Sequence, residues 1–121
     1  MRESALLRQS KDYLTWLQNQ GFLWFTRLNS GNIYPTGKDG KKYKVELCPV
    51  GTADFEIIMA GKDRGYALFW ETKSRTGKLS GEQAAFANQI LRQGAWYISG
   101  NKLDDLVMAL QAINPRIPRP E

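Results

Sequence analysis

The hydrophobic positions at the start of the chain recur with the period of an amphipathic helix. Residues 3–20 place apolar side chains about three or four positions apart, and Gly21 then supplies a stop signal. These apolar positions are Leu6, Leu7, Tyr13, Leu14, Trp16 and Leu17. The apolar segment 22–28 follows, and residues 29–32 are turn-forming. The pattern predicts a helix, a strand and a turn, in this order.

The middle of the chain changes from a polar stretch to two apolar runs. Residues 29–44 are rich in Gly, Asn and Lys, so they are expected to form a mobile basic loop that ends in a short strand at 43–47. The apolar segments 53–59 and 65–73 flank the sequence AGKDRG, whose composition suits a hairpin turn. These two segments are therefore predicted to pair as antiparallel neighbours.

The last third of the chain predicts a helix, a strand and a second helix. Ser80 stands three positions before Gln83, which is the arrangement of a capping box, and Gly94 follows the helical pattern that begins there. Residues 95–99 form a short apolar run typical of a buried strand. Residues 103–113 have helical spacing with acidic residues in the first turn.

These elements predict an α/β fold (α+β with a mixed sheet) in the order αβββαβα. In such a fold a central mixed sheet is flanked by helices. The 121 residues suffice for one hydrophobic core but not for two, so residues 1–114 are assigned to a single domain. The proline-rich tail 115–121 cannot continue a helix and is expected to be extended and loosely held.

The composition narrows the chemistry that the chain can perform. Histidine is absent, which excludes Ser-His-Asp and Cys-His catalysis and the His-based metal hydrolases. Cys48 is the only cysteine, which excludes an internal disulfide framework and a Cys-rich zinc site. An enzyme with this composition must use carboxylates and lysine, with or without a hard metal ion. The net charge of +5 favours a polyanionic partner, with nucleic acid as the leading class.

No segment is expected to enter a membrane. The sequence has no run of about 18 apolar residues, and charges interrupt its N-terminal segment. A lone cysteine, expected to be a small buried hydrophobe, fits a reducing compartment. We therefore expect a soluble protein of the cytoplasm.

Two carboxylates and one lysine are predicted to meet at one end of the hairpin. Side chains alternate along a strand, so Glu71 and Lys73 point to one face. The first strand of the hairpin starts where the second ends, which brings Asp54 close to both. Neighbouring carboxylates repel unless a cation compensates. Their oxygens, with the Thr72 backbone carbonyl and waters, suit Mg²⁺ or Mn²⁺.

A divalent metal at this place predicts phosphodiester hydrolysis. Such a metal lowers the pKa of a bound water and stabilises charge on a phosphate oxygen during in-line attack. Lys73 would stand beside that water, where it either orients the water and takes its proton or stabilises the transition state. The sequence leaves these two roles open.

The order of these residues resembles the PD-(D/E)xK nuclease superfamily, and within it the VRR-NUC (virus-type replication-repair nuclease) family. The matching residues are Gly51-Thr52-Ala53-Asp54, Glu71-Thr72-Lys73, Gly77-Lys78-Leu79-Ser80 and Gln83. Glu3 resembles a glutamate of that family's first helix, NSGN its polar loop, and GAWYISGNKLDDL its closing strand and helix. The resemblance spans nearly the whole chain. One departure is Ala53, which stands where the family usually has a proline.

The resemblance implies a fold, an activity and a set of site residues. The fold is a restriction-endonuclease-like core. Asp54 and Glu71 are implied as metal ligands, Lys73 as a catalytic residue, Gln83 as its support and Glu3 as an outer ligand. The implied activity is hydrolysis of DNA at branched, flap or junction structures during replication, recombination or repair. The resemblance also implies a phage or prophage origin and a homodimer.

Several polar residues are expected to contact the DNA backbone. A basic loop beside a phosphodiester site is a natural place for such contacts. The predicted residues are Asn29, Ser30, Lys38, Lys41, Lys42, Lys44 and Lys78. The alternative is that these lysines only keep the surface soluble. The four tryptophans are expected in the core or at an interface rather than stacked on bases.

Each site residue also has an ordinary structural interpretation. Asp54 is then a turn residue or a strand-end cap. Glu56, on the same strand face, could replace Asp54 in the functional role or assist it. Glu71 and Lys73 become an exposed strand pair of small energetic value, and Gln83 serves only as a helix cap. The corresponding functions are a DNA-binding module that does not cleave, or a basic adaptor in which these residues have no catalytic role.

Overall fold

The computed structural model describes residues 3–121, with the side chain of Glu3 excepted. The helices are α1 (Glu3–Asn19), α2 (Gly81–Arg92) and α3 (Leu103–Ile113). The strands are β1 (Leu23–Arg27), β2 (Asn32–Ile33), β3 (Val45–Glu46), β4 (Phe55–Ala60), β5 (Gly65–Thr72) and β6 (Trp96–Gly100). Within the described residues no helix is long and apolar enough to cross a membrane.

The central sheet has four strands in the order β1-β4-β5-β6. β4 is antiparallel to both β1 and β5, whereas β5 and β6 are parallel. A parallel pair needs a long crossover connection, and α2 supplies it here. The expected mixed sheet and the antiparallel pairing of 53–59 with 65–73 are confirmed. Apart from the two short strands β2 and β3, the elements follow in the order helix, three strands, helix, strand, helix.

One face of the sheet carries the hydrophobic core under α1 and α3. Along β4 the residues Phe55, Ile57 and Met59 are buried and alternate with more exposed ones, as the period of a strand requires. Trp70 of β5 is fully buried on this face, and its indole N–H donates to the Ser10 hydroxyl of α1 at 2.9 Å. The hydrogen bond satisfies two polar groups that burial would otherwise leave unpaired.

The opposite face is covered in part by α2. Phe86 of α2 packs edge-on against Phe69 of β5 and Tyr97 of β6, with ring centroids 5.4 and 6.0 Å apart. The capping box predicted at the start of this helix is confirmed: the Ser80 hydroxyl accepts from the Gln83 backbone N–H, and the Gln83 side chain accepts from the Ser80 backbone N–H. The chain leaves the helix through Gly94, whose φ of 86° favours glycine.

The predicted basic loop contains a hairpin of its own. β2 and β3 pair antiparallel, and the chain between them is tied by backbone hydrogen bonds such as Tyr43 N–H to Pro35 O at 3.0 Å. The Tyr43 hydroxyl donates to the Asp39 carboxylate, which raises the pKa of Tyr43 and lowers that of Asp39. The short strand expected at 43–47 is confirmed by β3, whereas its partner β2 was not predicted, because a strand of two residues has no hydrophobic period that would reveal it.

The C-terminal tail is held against the helices, and the expectation of a loosely held tail was wrong. Ile117 is 2% exposed and belongs to the core. The Tyr13 hydroxyl donates to the Pro118 carbonyl at 2.7 Å, and burial raises the pKa of Tyr13 to about 12. Arg119 forms an ion pair with Asp104 of α3. The prolines do exclude a helix, but one buried isoleucine is enough to fix the segment.

We expect Ile117→Ala to lower the free energy of unfolding by about 2 kcal/mol, the lower part of the range for buried isoleucine truncation. The side chain is buried against the core although it lies near the chain end. Urea denaturation followed by tryptophan fluorescence measures the difference. Met108→Ala, at a side chain that is 60% exposed, is the control. Equal stability of both variants would show that the tail adds nothing.

Candidate active site

The candidate site lies where β4 begins and β5 ends. Phe55, the first residue of β4, pairs with Trp70 of β5. Asp54 directly precedes Phe55 and Glu71 directly follows Trp70, so these two acids are neighbours across the hairpin. Lys73 follows the end of β5, and its backbone N–H donates to the Gly100 carbonyl at the end of β6 at 2.8 Å. The hairpin therefore brings the three predicted residues to one end of the sheet. It does so because antiparallel pairing sets the first residue of one strand beside the last of the other.

The Asp54 carboxylate is fixed by Thr72. Its Oδ2 accepts from the Thr72 backbone N–H at 2.7 Å and from the Thr72 hydroxyl at 2.8 Å. Thr72 itself is fully buried. The sequence suggested only the Thr72 carbonyl as a participant, and its role as a ligand stays a prediction. The structure adds that the N–H and hydroxyl of this residue orient the aspartate.

Arg27 of β1 is a second neighbour of Asp54 that the sequence did not indicate. Its Nη1 donates to the Asp54 backbone carbonyl at 2.9 Å and lies 3.6 Å from Oδ1 of the carboxylate. The same nitrogen donates to the Leu28 carbonyl. The guanidinium carbon lies 5.4 Å from the centre of the Phe55 ring. Arg27 thus holds the start of β4 and places a positive charge beside the aspartate.

Glu71 is 2% exposed, so its carboxylate lies inside the protein. Its Oε1 accepts from the Gln83 side-chain amide at 3.0 Å. Burial of an ionised carboxylate costs free energy unless hydrogen bonds or a nearby cation compensate. A buried acid at the end of a strand is hard to explain by packing alone.

Gln83 joins the lysine to the glutamate. Its Oε1 accepts from Lys73 Nζ and from the Ser80 backbone N–H, the latter at 2.9 Å, while its Nε2 donates to Glu71. The Gln83 backbone N–H in turn donates to the Ser80 hydroxyl at 3.1 Å. The helix cap therefore sets the position of the glutamine side chain. Gln83 thus combines the helix cap with hydrogen bonds to Lys73 and Glu71, as the sequence allowed, and its supporting role in catalysis stays a prediction.

Tyr97 of β6 is a further residue that the sequence did not indicate. It pairs with Phe69, on the sheet face that also carries Phe86. Among the described residues its hydroxyl is buried and makes no hydrogen bond within the chain. Burial raises the pKa of Tyr97, and the negative charges of Glu71 and Asp54 raise it further. A buried donor thus lies within the electrostatic reach of both carboxylates.

The residues at the end of the hairpin fit a hard divalent cation. Asp54 and Glu71 supply carboxylate oxygens, the ligand type that Mg²⁺ and Mn²⁺ prefer. Among the described residues, the buried Tyr97 hydroxyl on the same sheet face has no hydrogen-bond partner within the chain. In residues 3–121, side chain of Glu3 excepted, no group of three or more His, Cys, Asp or Glu side chains forms a metal site. Two carboxylates would therefore leave most positions to water, as Mg²⁺ usually requires.

Glu3 was proposed as an outer ligand. Its backbone begins α1, but its side chain lies outside the described residues. The role implied for Glu3 stays a prediction.

Two clefts open beside the candidate site. The first, of about 550 Å³, is lined by Arg27, Leu28, Asn29, Ser30, Ile33, Leu47, Thr52 and Asp54. The second, of about 240 Å³, is lined by Lys73, Ser74, Arg75, Gly77, Ser99, Gly100, Asn101 and Asp105. Asn29 and Ser30, which the sequence predicted as DNA contacts, share a cleft with Asp54.

The predicted lysines stand apart from these clefts. Lys38, Lys41, Lys42 and Lys44 lie on the exposed hairpin that contains β2 and β3. Lys44 is 3.4 Å from the Glu46 carboxylate. Lys78 is exposed in the segment between β5 and α2. The structure brings none of these lysines into either cleft, so their contact with DNA stays a prediction.

Comparison of the chain with known protein families and with curated proteins finds no match.

Proposed function

We propose that the protein is a Mg²⁺- or Mn²⁺-dependent DNA endonuclease that hydrolyses phosphodiester bonds. The observation that carries the proposal is the meeting of Asp54, Glu71 and Lys73 at one end of a hairpin. Glu71 and Lys73 are joined through Gln83, and Asp54 is oriented by the residue between them. The resemblance of these residues to the VRR-NUC family, which implies a restriction-endonuclease-like core, adds support, as does the net charge of +5.

Asp54 and Glu71 would hold the metal. When bound, the metal supplies a water of lowered pKa and stabilises charge on the phosphate. Thr72 keeps Asp54 in one orientation, and burial limits the access of bulk water to Glu71. Preorganised charges of this kind act strongly because they need no rearrangement during the reaction.

Lys73 serves the attacking water or the transition state. Its Nζ donates to Gln83 Oε1, which fixes the ammonium group beside the buried Glu71. An ammonium there stabilises negative charge that develops on the phosphate and helps to orient the nucleophile. Gln83 thereby acts as a positioning residue for Lys73 and Glu71 together.

The preference for branched, flap or junction DNA and the homodimer are part of the proposal. Both come from the resemblance. A small nuclease needs two copies to cut two strands symmetrically.

We expect the protein to cut DNA with Mg²⁺ or Mn²⁺ and to be inactive in EDTA. The test uses end-labelled duplex, flap and four-way-junction DNA under each condition, with products separated on denaturing gels. Restoration of cleavage by adding Mg²⁺ back to the EDTA sample is the control against irreversible damage. The preferred substrate shows which DNA structure is recognised.

Cleavage that persists in EDTA would contradict the metal requirement. DNA binding without any cleavage would support the alternative function, a recognition module that keeps this fold. If the protein neither binds nor cleaves DNA, the remaining interpretation is the basic adaptor without a catalytic role.

A further inference from the structure

The first cleft is lined by residues at the end of β1 and before β4, and the second by residues after β5 and at the end of β6. In the strand order β1-β4-β5-β6 the two clefts therefore flank the junction of β4 and β5 that carries the candidate site. They share no lining residue, but Asp54 lines the first and Lys73 lines the second. Asp54 is hydrogen-bonded to Thr72, the residue that precedes Lys73. Asp54 and Lys73, to which the proposed function assigns the cleaved phosphate, are therefore the residues at which the two clefts approach each other. A DNA strand that enters the site through one cleft could therefore continue into the other cleft.

The first cleft offers a prearranged guanidinium. Arg27 uses Nη1 for the Leu28 and Asp54 carbonyls, and its plane is held near the Phe55 ring. Its side chain is 35% exposed, and among the described residues Nη2 and Nε donate to no protein acceptor. A guanidinium fixed by one nitrogen presents its remaining donors as a fork that matches the oxygens of a phosphate.

Asn29, Ser30 and Thr52 line the same cleft. Amide and hydroxyl groups are common phosphate contacts in protein–DNA interfaces. Asp54 is the carboxylate of the first cleft, and a metal bound there would remove its repulsion toward DNA.

The second cleft carries a similar set of donors. Lys73 and Arg75 supply positive charge there, and Ser74, Ser99 and Asn101 supply hydroxyl and amide groups. Arg75 is exposed, and among the described residues it forms no ion pair or hydrogen bond. One carboxylate, Asp105, lines this cleft beside Gly100, so the two cations leave it positively charged.

We infer that the substrate strand crosses the end of the sheet from one cleft to the other, with phosphates on either side of the cleaved bond held by Arg27 and Arg75. The inference rests on the proposed nuclease function and specifies its substrate as an internal DNA segment. Because both sides of the site are open and carry phosphate donors, the cut falls inside the strand. A site that accepts only a strand end needs one side closed.

The decisive variant is Arg75→Ala, because no described contact of the fold is lost with this side chain. Arg8→Ala, at an exposed position of α1 on the other side of the sheet, is the matched control. Binding of a fluorescein-labelled oligonucleotide is measured by anisotropy in EDTA over a series of salt concentrations. We expect Arg75→Ala to weaken binding about tenfold. The negative slope of log K against log salt should become shallower by about one, because one phosphate contact is lost. Arg8→Ala should bind as wild type.

Neutral phosphates test both clefts without mutating Arg27, which also supports Asp54. Oligonucleotides with a single methylphosphonate next to the cut, on one side or the other, should each bind wild type more weakly. The methylphosphonate on the side held by Arg75 should not weaken binding by Arg75→Ala any further, since this variant has already lost the arginine–phosphate contact. Closed circular single-stranded DNA, which has no ends, should be cut by wild type.

The outcomes separate this inference from the proposed function. If wild type cuts DNA but Arg75→Ala binds like Arg8→Ala and the neutral phosphates change nothing, the strand path is wrong and the nuclease stands. Degradation of linear DNA only from its ends would overturn both the path and the endonucleolytic mode of the proposed function, while metal-dependent DNA hydrolysis would stand. If wild type neither binds nor cuts any DNA, both proposals fail.

Discussion

Replacement of Lys73 by methionine is expected to slow DNA cleavage by about 10²–10⁴-fold, the range found for a positioned acid–base group. Methionine keeps much of the length of the lysine side chain and loses the ammonium group that donates to Gln83. The transition state then lacks one of the positive side chains at the site. The fold should persist, because Lys73 is only partly buried and lies beyond the end of β5.

Single-turnover cleavage with saturating enzyme measures this effect on the chemical step. Lys62→Met, at an exposed position in the turn between β4 and β5, removes the same charge at the far end of the hairpin and serves as the control. A circular dichroism spectrum and melting curve like those of wild type show that the variant is folded. A Lys73→Met variant that cuts at the rate of Lys62→Met would remove Lys73 from the mechanism.

Local signals were sufficient to predict the hairpin and the helix cap. The apolar segments 53–59 and 65–73 and the turn residues between them predict the pairing of β4 with β5. That pairing places Asp54 beside Glu71. The Ser80–Gln83 spacing likewise predicts the capping box. Such features depend on residues close in sequence, so one sequence is enough to find them.

Tyr97 and Arg27 could not be found in this way. Tyr97 reaches the site because β6 lies parallel to β5 in one register, after a helix has intervened. Arg27 reaches Asp54 because β1 pairs with β4, and the two residues are 27 positions apart. No local pattern fixes either register. The tail was misjudged for a similar reason, since the burial of Ile117 depends on where α1 and α3 meet.

The arrangement of charges permits a structural interpretation that competes with the catalytic one. Asp54 has Arg27 beside it at 3.6 Å, and Glu71 is linked to Lys73 through Gln83. Two acids and two bases could balance each other without any metal. Such networks occur in proteins that have no active site. The two interpretations differ in what a divalent ion does to stability.

Metal binding is expected to raise the stability of wild type and to leave Glu71→Gln and Asp54→Asn unchanged. An ion present at ten times its dissociation constant adds about 1.4 kcal/mol to the free energy of unfolding. For a chain of 121 residues this corresponds to a rise of about 5 °C in Tm. The amide variants keep the size of the carboxyl groups and remove the charge that binds the cation. Both should also lose cleavage by at least about 10²-fold.

Melting curves in EDTA and in millimolar Mg²⁺ or Mn²⁺ measure the difference for each variant. Glu46→Gln, an exposed change in the hairpin of β2 and β3, controls for the loss of one negative charge. In EDTA, Glu71→Gln should be at least as stable as wild type, because removing a buried charge ends its desolvation cost while the Gln83 amide still has an oxygen to bind. In the presence of metal the order should reverse, with wild type the more stable protein. A cation held by these two carboxylates must lose affinity when either of them becomes an amide. The same metal response in wild type and both amide variants would therefore show that Asp54 and Glu71 belong to a structural network and do not bind the metal.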